Sequence, residues 1–340
     1  MKTTISVLGS GSWGTALAIS LALKGYKTKL WGRDKKLQKD LRIKRENAKY
    51  LPGVKLPENI KIADSLSDAA KNADVMVISV ASQGIREILH NLRDNVSKDC
   101  IIVNTAKGIE KESLKPVSVV VTEELPSNPF VVLSGPSHAE EVSKGLPTTL
   151  VSSSYIKSIA EFIQDVFMSP EIRVYTNPDV LGVEVGGAFK NIIALAAGIS
   201  DGLNFGDNAK AALMTRGIVE ISRLGVEMGA KPDTFSGLSG IGDLIVTCTS
   251  MHSRNRRCGI LIGQGKPPKE AIKEIGMVVE GVFAVEAAYK LSKKYCVEMP
   301  ITEELFQLLF NEKDVRTSVV NLMTRQKKHE MEENAANGLW

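Results

Sequence analysis

The feature that most constrains the fold of this chain is a motif of three closely spaced glycines near the N-terminus, Gly9-Ser10-Gly11-Ser12-Trp13-Gly14. An apolar stretch typical of a strand, Thr4–Leu8, precedes it, and a helical pattern over Thr15–Lys24 follows. In this setting Gly9 permits a tight turn, Gly11 lets the backbone approach a pyrophosphate, and Gly14 lets the helix pack on the strand. The helix N-terminus also offers free N–H groups to phosphates. The motif predicts a dinucleotide-binding unit, although a glycine-rich turn without a ligand has the same pattern.

The alternation of strand and helix continues through the first half of the chain. Further strand candidates, rich in Val and Ile with little polar alternation, are Thr28–Trp31, Val75–Val80, Ile101–Thr105, Phe130–Ser134, Thr149–Ser152 and Ile172–Tyr175. Such runs are typical of strands buried on both faces. Repeated strand–helix units predict an α/β, Rossmann-type doubly wound sheet.

After about Pro178 the strand-like runs end and helical periodicity takes over. Helical patterns begin at Asp207, a candidate N-cap, and recur over Lys269–Ile275, Phe283–Lys293 and Thr302–Phe310. We therefore expect an all-α second domain. The predicted division is a dinucleotide-binding domain over 1–180, a helical substrate domain over 181–325, and a polar, flexible tail over 326–340.

Composition excludes several classes of protein. With 340 residues, 43% apolar and 24% charged, the chain has the balance of a soluble globular protein with one large or two modest domains. Its net charge of +4 is too small to favour a nucleic-acid partner.

Neither a membrane-length apolar run nor a signal peptide is apparent. The four cysteines are widely spaced and the histidines lack ligand spacing, which predicts reduced thiols and no metal site. We expect a cytoplasmic protein without membrane or nucleic-acid partners.

The end of the second predicted strand bears on the choice of cofactor. The residues there are Trp31-Gly32-Arg33-Asp34. A carboxylate in this region is typical of NAD binding, whereas an arginine accommodates the 2′-phosphate of NADP. The alternative is that both are ordinary turn residues on the surface. We favour NADPH as the cofactor and leave NADH open.

A lysine surrounded by small residues is the strongest candidate for catalysis. Lys190 shares a predicted helix face with Gly186 and Gly187, and each glycine costs about 1 kcal/mol relative to alanine in a helix. Small neighbours leave space for a ligand beside the amine. Burial, or a second cation such as Lys107 at the end of another strand, would lower its pKa toward neutrality, where a lysine transfers protons. The alternative is close helix packing with the lysine extending outward.

Two polar segments add candidate ligand contacts. Ser253-Arg254-Asn255 offers a hydroxyl, a guanidinium and an amide, which suit a phosphate monoester, although a solvated basic turn has the same composition. Asp243, after several glycines, is either part of this site or a helix N-cap. Ser137, after the strand Phe130–Ser134, is either a ligand contact or a cap in a capping box with Glu140.

Together these segments resemble the NAD(P)-dependent glycerol-3-phosphate dehydrogenase family in its bacterial-type biosynthetic form. The resemblance extends to about residue 325 and rests on ordered, separated blocks. These are the glycine motif from Gly9, Lys107-Gly108, Ser134-Gly-Pro-Ser-His-Ala-Glu-Glu-Val, Val185-Gly-Gly-Ala-Phe-Lys-Asn, and Gly240-Ile-Gly-Asp-Leu with Ser253-Arg-Asn.

The resemblance implies a role for each matched residue. Lys190 would be the general acid/base. The triose phosphate would be held by Lys107, Gly135, Ser137, Lys190, Asp243, Ser253, Arg254 and Asn255. The dinucleotide would be lined by Gly9, Gly11, Ser12, Trp13, Gly14, Arg33, Lys107, Ala139, Arg254, Val278 and Glu280.

The resemblance also implies a reaction and a setting. NAD(P)H would reduce dihydroxyacetone phosphate to sn-glycerol 3-phosphate for glycerophospholipid synthesis, in a cytoplasmic homodimer. Two other functions remain open from the residues alone. One is a dehydrogenase of the same build that reduces a 2- or 3-keto acid. The other is a sensor that binds NADPH without turnover.

Overall fold

All seven predicted strands form, and they belong to one eight-stranded sheet in the computed structural model, which describes residues 3–330. The strands of the described residues are β1 Thr4–Leu8, β2 Lys27–Trp31, β3 Glu46–Asn47, β4 Leu51–Lys55, β5 Ile60–Ile62, β6 Val75–Ile78, β7 Ile101–Asn104, β8 Phe130–Ser134, β9 Thr148–Ser153 and β10 Ile172–Asn177.

The order in the large sheet is β10-β9-β8-β7-β6-β1-β2-β5. Every neighbouring pair is parallel except β8 and β9. Strands β6 and β7 are buried along their whole length, because helices cover both faces of the sheet. The predicted fold class, a doubly wound α/β sheet followed by a helical domain, is confirmed.

Three strands and one strand direction escaped the sequence analysis. Strand β5 has only three residues and lies at the sheet edge, and β3 and β4 form a separate antiparallel hairpin. Strand β9 runs antiparallel to β8, because only a four-residue helix lies between them instead of a full crossover helix. The predicted strands Val75–Val80 and Ile101–Thr105 end slightly earlier, at Ile78 and Asn104.

The helices of the described residues cover the sheet and then build the second domain. They are α1 Ser12–Leu23, α2 Lys35–Lys44, α3 Leu66–Ala70, α4 Ile85–His90, α5 Val117–Glu124, α6 Ala139–Val142, α7 Lys157–Phe167, α8 Val180–Gly202, α9 Gly206–Glu227, α10 Pro232–Phe235, α11 Asp243–Thr249, α12 Arg254–Gly263, α13 Pro268–Ile275, α14 Glu280–Lys294, α15 Pro300–Phe310 and α16 Val315–Met323.

Helix α8 is the centre of the helical domain. It is long and apolar enough to cross a membrane, but 94% of its most apolar window is buried inside the fold. Helix α12 packs against it at very short range, since a Cβ on Gly198 would lie 2.1 Å from the Arg256 carbonyl oxygen. Small residues on α8 therefore serve close helix packing, which is one of the two interpretations of this segment.

Two details of the helical half differ from the sequence analysis. Helix α9 begins at Gly206, so Asp207 lies in its first turn rather than at the N-cap, where its charge favours the positive helix end. Helix α8 begins at Val180, with Asp179 as its N-cap through a bond from the Gly182 N–H. Strand β10 ends at Asn177, so the connection between the two parts of the chain is very short.

Buried contacts join the two parts of the chain. Glu184 on α8 accepts a hydrogen bond of 2.9 Å from the Ser118 N–H at the start of α5, and a second bond from the Ser118 hydroxyl.

Near the C-terminal end of the described residues, Lys328 pairs with Glu298 at 2.6 Å. The described part of the predicted tail thus lies against the helical domain, and residues 331–340 lie outside the described residues.

Candidate active site

A cleft of about 1230 Å³ lies at the carboxyl ends of the central strands, between the sheet and the helical domain. Ligands in such sheets bind at this edge. Most of the predicted site residues line it, namely Gly9, Gly11, Ser12, Trp13, Arg33, Lys107, Ser137, Lys190, Ser253, Arg254, Asn255, Val278 and Glu280. Gly14, Gly135, Ala139 and Asp243 are outside the cleft wall.

The three motif glycines have three different environments. Gly9 has a φ of +122°, and a Cβ there would lie 2.2 Å from the Ser79 carbonyl oxygen. A Cβ on Gly14 would lie 1.9 Å from the Gly9 carbonyl oxygen, so helix and turn pack in direct contact. A Cβ on Gly11 would meet nothing within 4 Å. The backbone at Gly11 thus faces open space in the cleft, as close approach of a pyrophosphate requires.

The start of α1 fits the phosphates of a dinucleotide. Its N-cap, Gly11, has no side chain to bond the first N–H groups, and the first turn contains no acidic residue. These N–H groups and the helix dipole therefore remain available to an anion in the cleft. The residues at the start of α1 therefore fit a dinucleotide, the cofactor that the glycine motif predicts.

At the far end of the cleft, Arg33 and Asp34 are in different situations. Arg33 is exposed on the cleft wall. Asp34 caps α2 by accepting a bond of 3.1 Å from the Leu37 N–H, and it faces Lys49 at 3.3 Å. The Leu37 N–H and Lys49 together hold the pKa of Asp34 below its usual range. Both residues line the cleft, but the carboxylate of Asp34 is already used as a helix cap and ion-pair partner.

At the opposite end, Lys190 is buried and paired. Its side chain is 6% exposed, and its Nζ atom donates hydrogen bonds to Asp243 Oδ1 and, at 2.7 Å, to Thr247 Oγ1. The interpretation of Lys190 as a lysine that extends into solvent is wrong. Its neighbouring glycines do pack closely, since a Cβ on Gly186 would lie 2.8 Å from the Ser239 carbonyl oxygen.

Lys107 approaches the same carboxylate from the other side. Its Nζ lies 2.7 Å from Asp243 Oδ2 and donates a bond of 2.8 Å to the Gly135 carbonyl oxygen. A Cβ on Gly187 would lie 3.0 Å from Ser134 Oγ, so this glycine lets α8 pack closely against the end of β8 beside the lysine. A single buried carboxylate therefore joins two ammonium groups.

The electrostatics of this cluster follow from burial and charge. Burial lowers the pKa of Lys190 to about 7, and the charge of Lys107 acts in the same direction, while Asp243 opposes both. Burial alone would raise the pKa of Asp243, but Lys107 and Lys190 outweigh it and the net direction is downward. Lys190 thus titrates near neutral pH beside a carboxylate that stays ionised, which suits proton transfer.

Several predicted substrate contacts also have structural partners. Ser253 is buried and caps α12 by accepting a bond of 3.2 Å from the Arg256 N–H. Asn255 is buried too, so a solvated basic turn is the wrong interpretation of this segment. Its amide donates to Asn191 Oδ1 at 2.8 Å and accepts from the Gly281 N–H at 2.9 Å, joining α8, α12 and α14.

The segment after β8 corrects further interpretations. Ser137 donates to the Gly135 carbonyl oxygen at 2.8 Å and accepts from Lys107 at 3.3 Å, and α6 has no side-chain cap, so the capping box is wrong. Ala139 opens α6 with its side chain in the sheet core. Asp243 is likewise not an N-cap, because its carboxylate contacts the lysines and Gly242 precedes α11.

The structure adds residues to which the sequence analysis gave no role. Thr247 lies one turn after Asp243 on α11, and this spacing of four on one helix was the available signal. Ser82 donates to Glu280 Oε2 at 2.9 Å and so joins the sheet domain to α14. That contact joins segments 198 residues apart, and no local pattern indicates it.

A dinucleotide-type glycine loop and a buried, ionisable lysine that line one cleft are the features of an NAD(P)-dependent oxidoreductase. In residues 3–330 no group of three or more His, Cys, Asp or Glu side chains is placed to hold a metal ion.

Comparison with known proteins identifies the family. Residues 4–160 match the family model for the N-terminus of NAD-dependent glycerol-3-phosphate dehydrogenase, and residues 179–320 match the model for its C-terminus. A glycerol-3-phosphate dehydrogenase [NAD(P)+] of Fusobacterium nucleatum is 54% identical over 96% of this chain and 98% of its own length. One from a Thermoanaerobacter species is 56% identical over 96% of this chain and 98% of its own length. The crystal structure of glycerol-3-phosphate dehydrogenase from Coxiella burnetii superposes with a TM-score of 0.93, at 37% identity over 95% of this chain and 99% of that one. The chain belongs to the NAD-dependent glycerol-3-phosphate dehydrogenase family.

Proposed function

We propose that this protein reduces dihydroxyacetone phosphate to sn-glycerol 3-phosphate with NAD(P)H, reversibly, with Lys190 as the general acid and base. The observation that carries the proposal is the Lys190–Asp243–Lys107 cluster beside the dinucleotide cleft. The test is a steady-state assay of dihydroxyacetone phosphate with each reduced nicotinamide.

The bound cofactor supplies a hydride to the C2 carbonyl, and the residues of the chain manage the proton and the charge. As an ammonium, Lys190 has three N–H donors, of which two bind Asp243 and Thr247. The third can donate to the C2 oxygen of the substrate, and its charge stabilises the oxyanion that develops there. In the reverse direction the neutral amine accepts the proton from the C2 hydroxyl.

Lys107 and Arg254 supply further positive charge to the substrate. Lys107 is fixed by Asp243 and by the Gly135 carbonyl, so its ammonium is oriented before the substrate binds. Arg254 lines the same cleft at the start of α12, and guanidinium forks bind phosphate oxygens well. Binding the phosphate at a distance from C2 orients the carbonyl for reaction.

The pH dependence of the reaction should report Lys190. Because its pKa in the free enzyme is about 7, kcat/KM for reduction should stay level below that pH and fall as pH rises through it. Oxidation of sn-glycerol 3-phosphate requires the neutral amine, so its kcat/KM should rise over the same range. Parallel pH profiles in the two directions are the measurement. Profiles with the same slope in both directions would contradict the proposed role.

We propose NADPH as the preferred cofactor, with Arg33 binding its 2′-phosphate. Arg33→Ala should raise KM for NADPH by about tenfold, since a charge-assisted phosphate contact is lost, and should affect NADH much less. The matched control is Arg42→Ala, because Arg42 pairs with Asp64 away from the cleft wall. Equal losses for NADPH and NADH would show that Arg33 does not distinguish the cofactors.

Two other functions make opposite predictions in the same assay. A keto-acid dehydrogenase would turn over a 2- or 3-keto acid faster than dihydroxyacetone phosphate. A dinucleotide sensor would bind NADPH saturably with no oxidation of it on adding any triose phosphate. A buried lysine with a pKa near 7 favours a catalyst over a sensor, because a sensor has no proton to transfer.

We also propose that the enzyme acts as a cytoplasmic homodimer that supplies sn-glycerol 3-phosphate to glycerophospholipid synthesis, with no nucleic-acid or membrane partner. The family resemblance supports this setting, and the small net charge of +4 agrees with it. Light scattering of the purified protein tests the dimer. Complementation of a bacterium that needs external glycerol phosphate tests the supply of lipid precursor.

A further inference from the structure

Two oppositely charged residues of the helical domain, Arg254 and Glu280, lie next to each other in the wall of the active-site cleft. Arg254 begins α12 and Glu280 begins α14. The residues that follow them are bonded directly, since the Gly281 N–H donates to Asn255 Oδ1 at 2.9 Å. Burial lowers the pKa of Arg254, and the charge of Glu280 opposes this effect. The two charged groups are therefore close enough to act on each other.

Despite this proximity, Arg254 and Glu280 do not form an ion pair. Within residues 3–330 the guanidinium of Arg254 makes neither an ion pair nor a hydrogen bond. Its nitrogens are not among the buried atoms that lack a partner, so the guanidinium is accessible from the cleft. A half-buried arginine whose donors are unused by the protein suits the binding of an anion.

The carboxylate of Glu280 is held by the sheet domain instead. Ser82, in the turn after β6, donates from Oγ to Glu280 Oε2 at 2.9 Å, and the Ser82 N–H donates to Oε1 at 3.4 Å. One serine thus binds both oxygens of the carboxylate. Burial raises the pKa of Glu280, and the two bonds from Ser82 act in the opposite direction, in favour of the ionised form.

Ser82 is itself fixed by its neighbours. Gln83 Nε2 donates to Ser82 Oγ at 3.1 Å and to the Ile109 carbonyl oxygen at 2.8 Å. A Cβ on Gly108 would lie 2.4 Å from Ser82 Oγ and 3.2 Å from Glu280 Oε2, so this glycine leaves the space in which serine and carboxylate meet. Ser82 is 4% exposed and lies outside the cleft wall. It can therefore affect a ligand only through Glu280.

We propose that Ser82 is a positioning residue of the substrate site: it holds the carboxylate of Glu280 away from Arg254 and so keeps the guanidinium available to the phosphate of the substrate. The inference rests on the proposed function, in which Arg254 binds that phosphate. Without the Ser82 hydroxyl, the carboxylate of Glu280 loses its shortest hydrogen bond and turns to the unused donors of Arg254 beside it. The resulting ion pair competes with the phosphate for the guanidinium.

The first measurement is the KM for dihydroxyacetone phosphate at saturating NADPH. Ser82→Ala should raise this KM about tenfold, because the new ion pair must break before the phosphate binds, and should change kcat by less than about twofold, since Lys190 keeps its partners. Ser158→Ala is the control for the loss of a serine hydroxyl, because Ser158 is exposed on α7 and outside the cleft wall. An unchanged KM in the Ser82→Ala enzyme would overturn the proposal.

A second substitution separates positioning from a general loosening of the site. In the Ser82→Ala enzyme, Glu280→Gln should bring the KM back to within about threefold of its value for Glu280→Gln alone, because the amide has no charge with which to pair with Arg254. A merely structural role of Ser82 predicts no such recovery, since removing a further carboxylate does not repair lost packing. A KM that stays about tenfold higher in the double variant would overturn the proposal.

Glu140 provides the matched control for Glu280. It lies on α6 and is the other carboxylate whose charge acts on Arg254, but none of the hydrogen bonds of Ser82 within residues 3–330 involves it. Glu140→Gln should therefore change the KM by the same factor with and without Ser82→Ala. Equal recovery from Glu140→Gln and Glu280→Gln would mean a general effect of negative charge and would overturn the proposal.

Arg254→Ala distinguishes failure of this inference from failure of the proposed function. It should raise the KM for dihydroxyacetone phosphate, and adding Ser82→Ala should then have no further effect, because the released carboxylate finds no guanidinium. If Arg254→Ala left the KM unchanged, Arg254 would not bind the phosphate, and the proposed function would be wrong at this residue together with the inference. If Arg254→Ala raised the KM and Ser82→Ala acted equally with and without Arg254, the inference alone would be overturned.

Discussion

Replacing Lys190 by alanine should lower the turnover of dihydroxyacetone phosphate by at least about 10²-fold while NADPH binding is retained, because the general acid is lost and the glycine loop is untouched. Turnover is measured at saturating substrate, and cofactor binding is measured separately by fluorescence titration. Added primary amines should partly restore the rate, since they replace the missing proton donor. Restoration would distinguish lost chemistry from a general disturbance of the site.

Lys157→Ala provides the control for Lys190→Ala. The Lys157 side chain lies on α7 and is 88% exposed, far from the cleft wall, so its removal should leave turnover unchanged. If Lys190→Ala turned over dihydroxyacetone phosphate like the unmodified enzyme, Lys190 could not be the proton donor.

Replacing Asp243 by asparagine should have the second large effect. The change leaves the buried ammonium of Lys190 and the partly buried one of Lys107 without their shared counter-ion, and removing one partner of a buried pair costs about 3–5 kcal/mol of stability. The carboxylate also raises the pKa of Lys190, so its loss should lower that pKa below about 7. At neutral pH less of the lysine is then protonated, and reduction should slow by about 10²-fold with its optimum at lower pH.

The decisive measurement for Asp243→Asn is the pH profile of reduction, together with the thermal midpoint of unfolding. Asp207→Asn is the matched control, because Asp207 is 98% exposed in the first turn of α9. A merely destabilised enzyme would lose activity at every pH. An unchanged profile would therefore show that Asp243 does not set the protonation of Lys190.

The sequence predicted the sheet domain well because its signals are local. Apolar runs of Val and Ile identified seven strands, and the glycine spacing identified the turn at Gly9 before any contact was known. The edge strand Ile60–Ile62 was missed because three residues give no usable pattern, and the direction of β9 was missed because strand direction depends on the path of the connection.

The site was partly accessible from sequence. Candidates were found one by one, from residue type and from position at a strand or helix end. The family resemblance placed them around one substrate, but residue type and spacing did not give their pairwise contacts. Nor did they decide between close packing and space for a ligand at Gly186. The contact with the Ser239 backbone, which decides for packing, joins α8 to the segment between α10 and α11, about 50 residues further along the chain.

The sequence alone determined the periodicities, the turn chemistry and the supply of chemical groups: a phosphate-binding loop, two lysines, an arginine and a carboxylate. The tertiary structure alone decided that Asp243 lies between Lys107 and Lys190, that Asp34 is occupied as a helix cap, and that Lys190 is buried deeply enough to titrate near neutrality. The reason is physical. Secondary structure follows from residues that are near in the sequence. The pKa of a side chain depends instead on the charges near it and on the loss of surrounding water, and both of these are set by segments that meet only on folding.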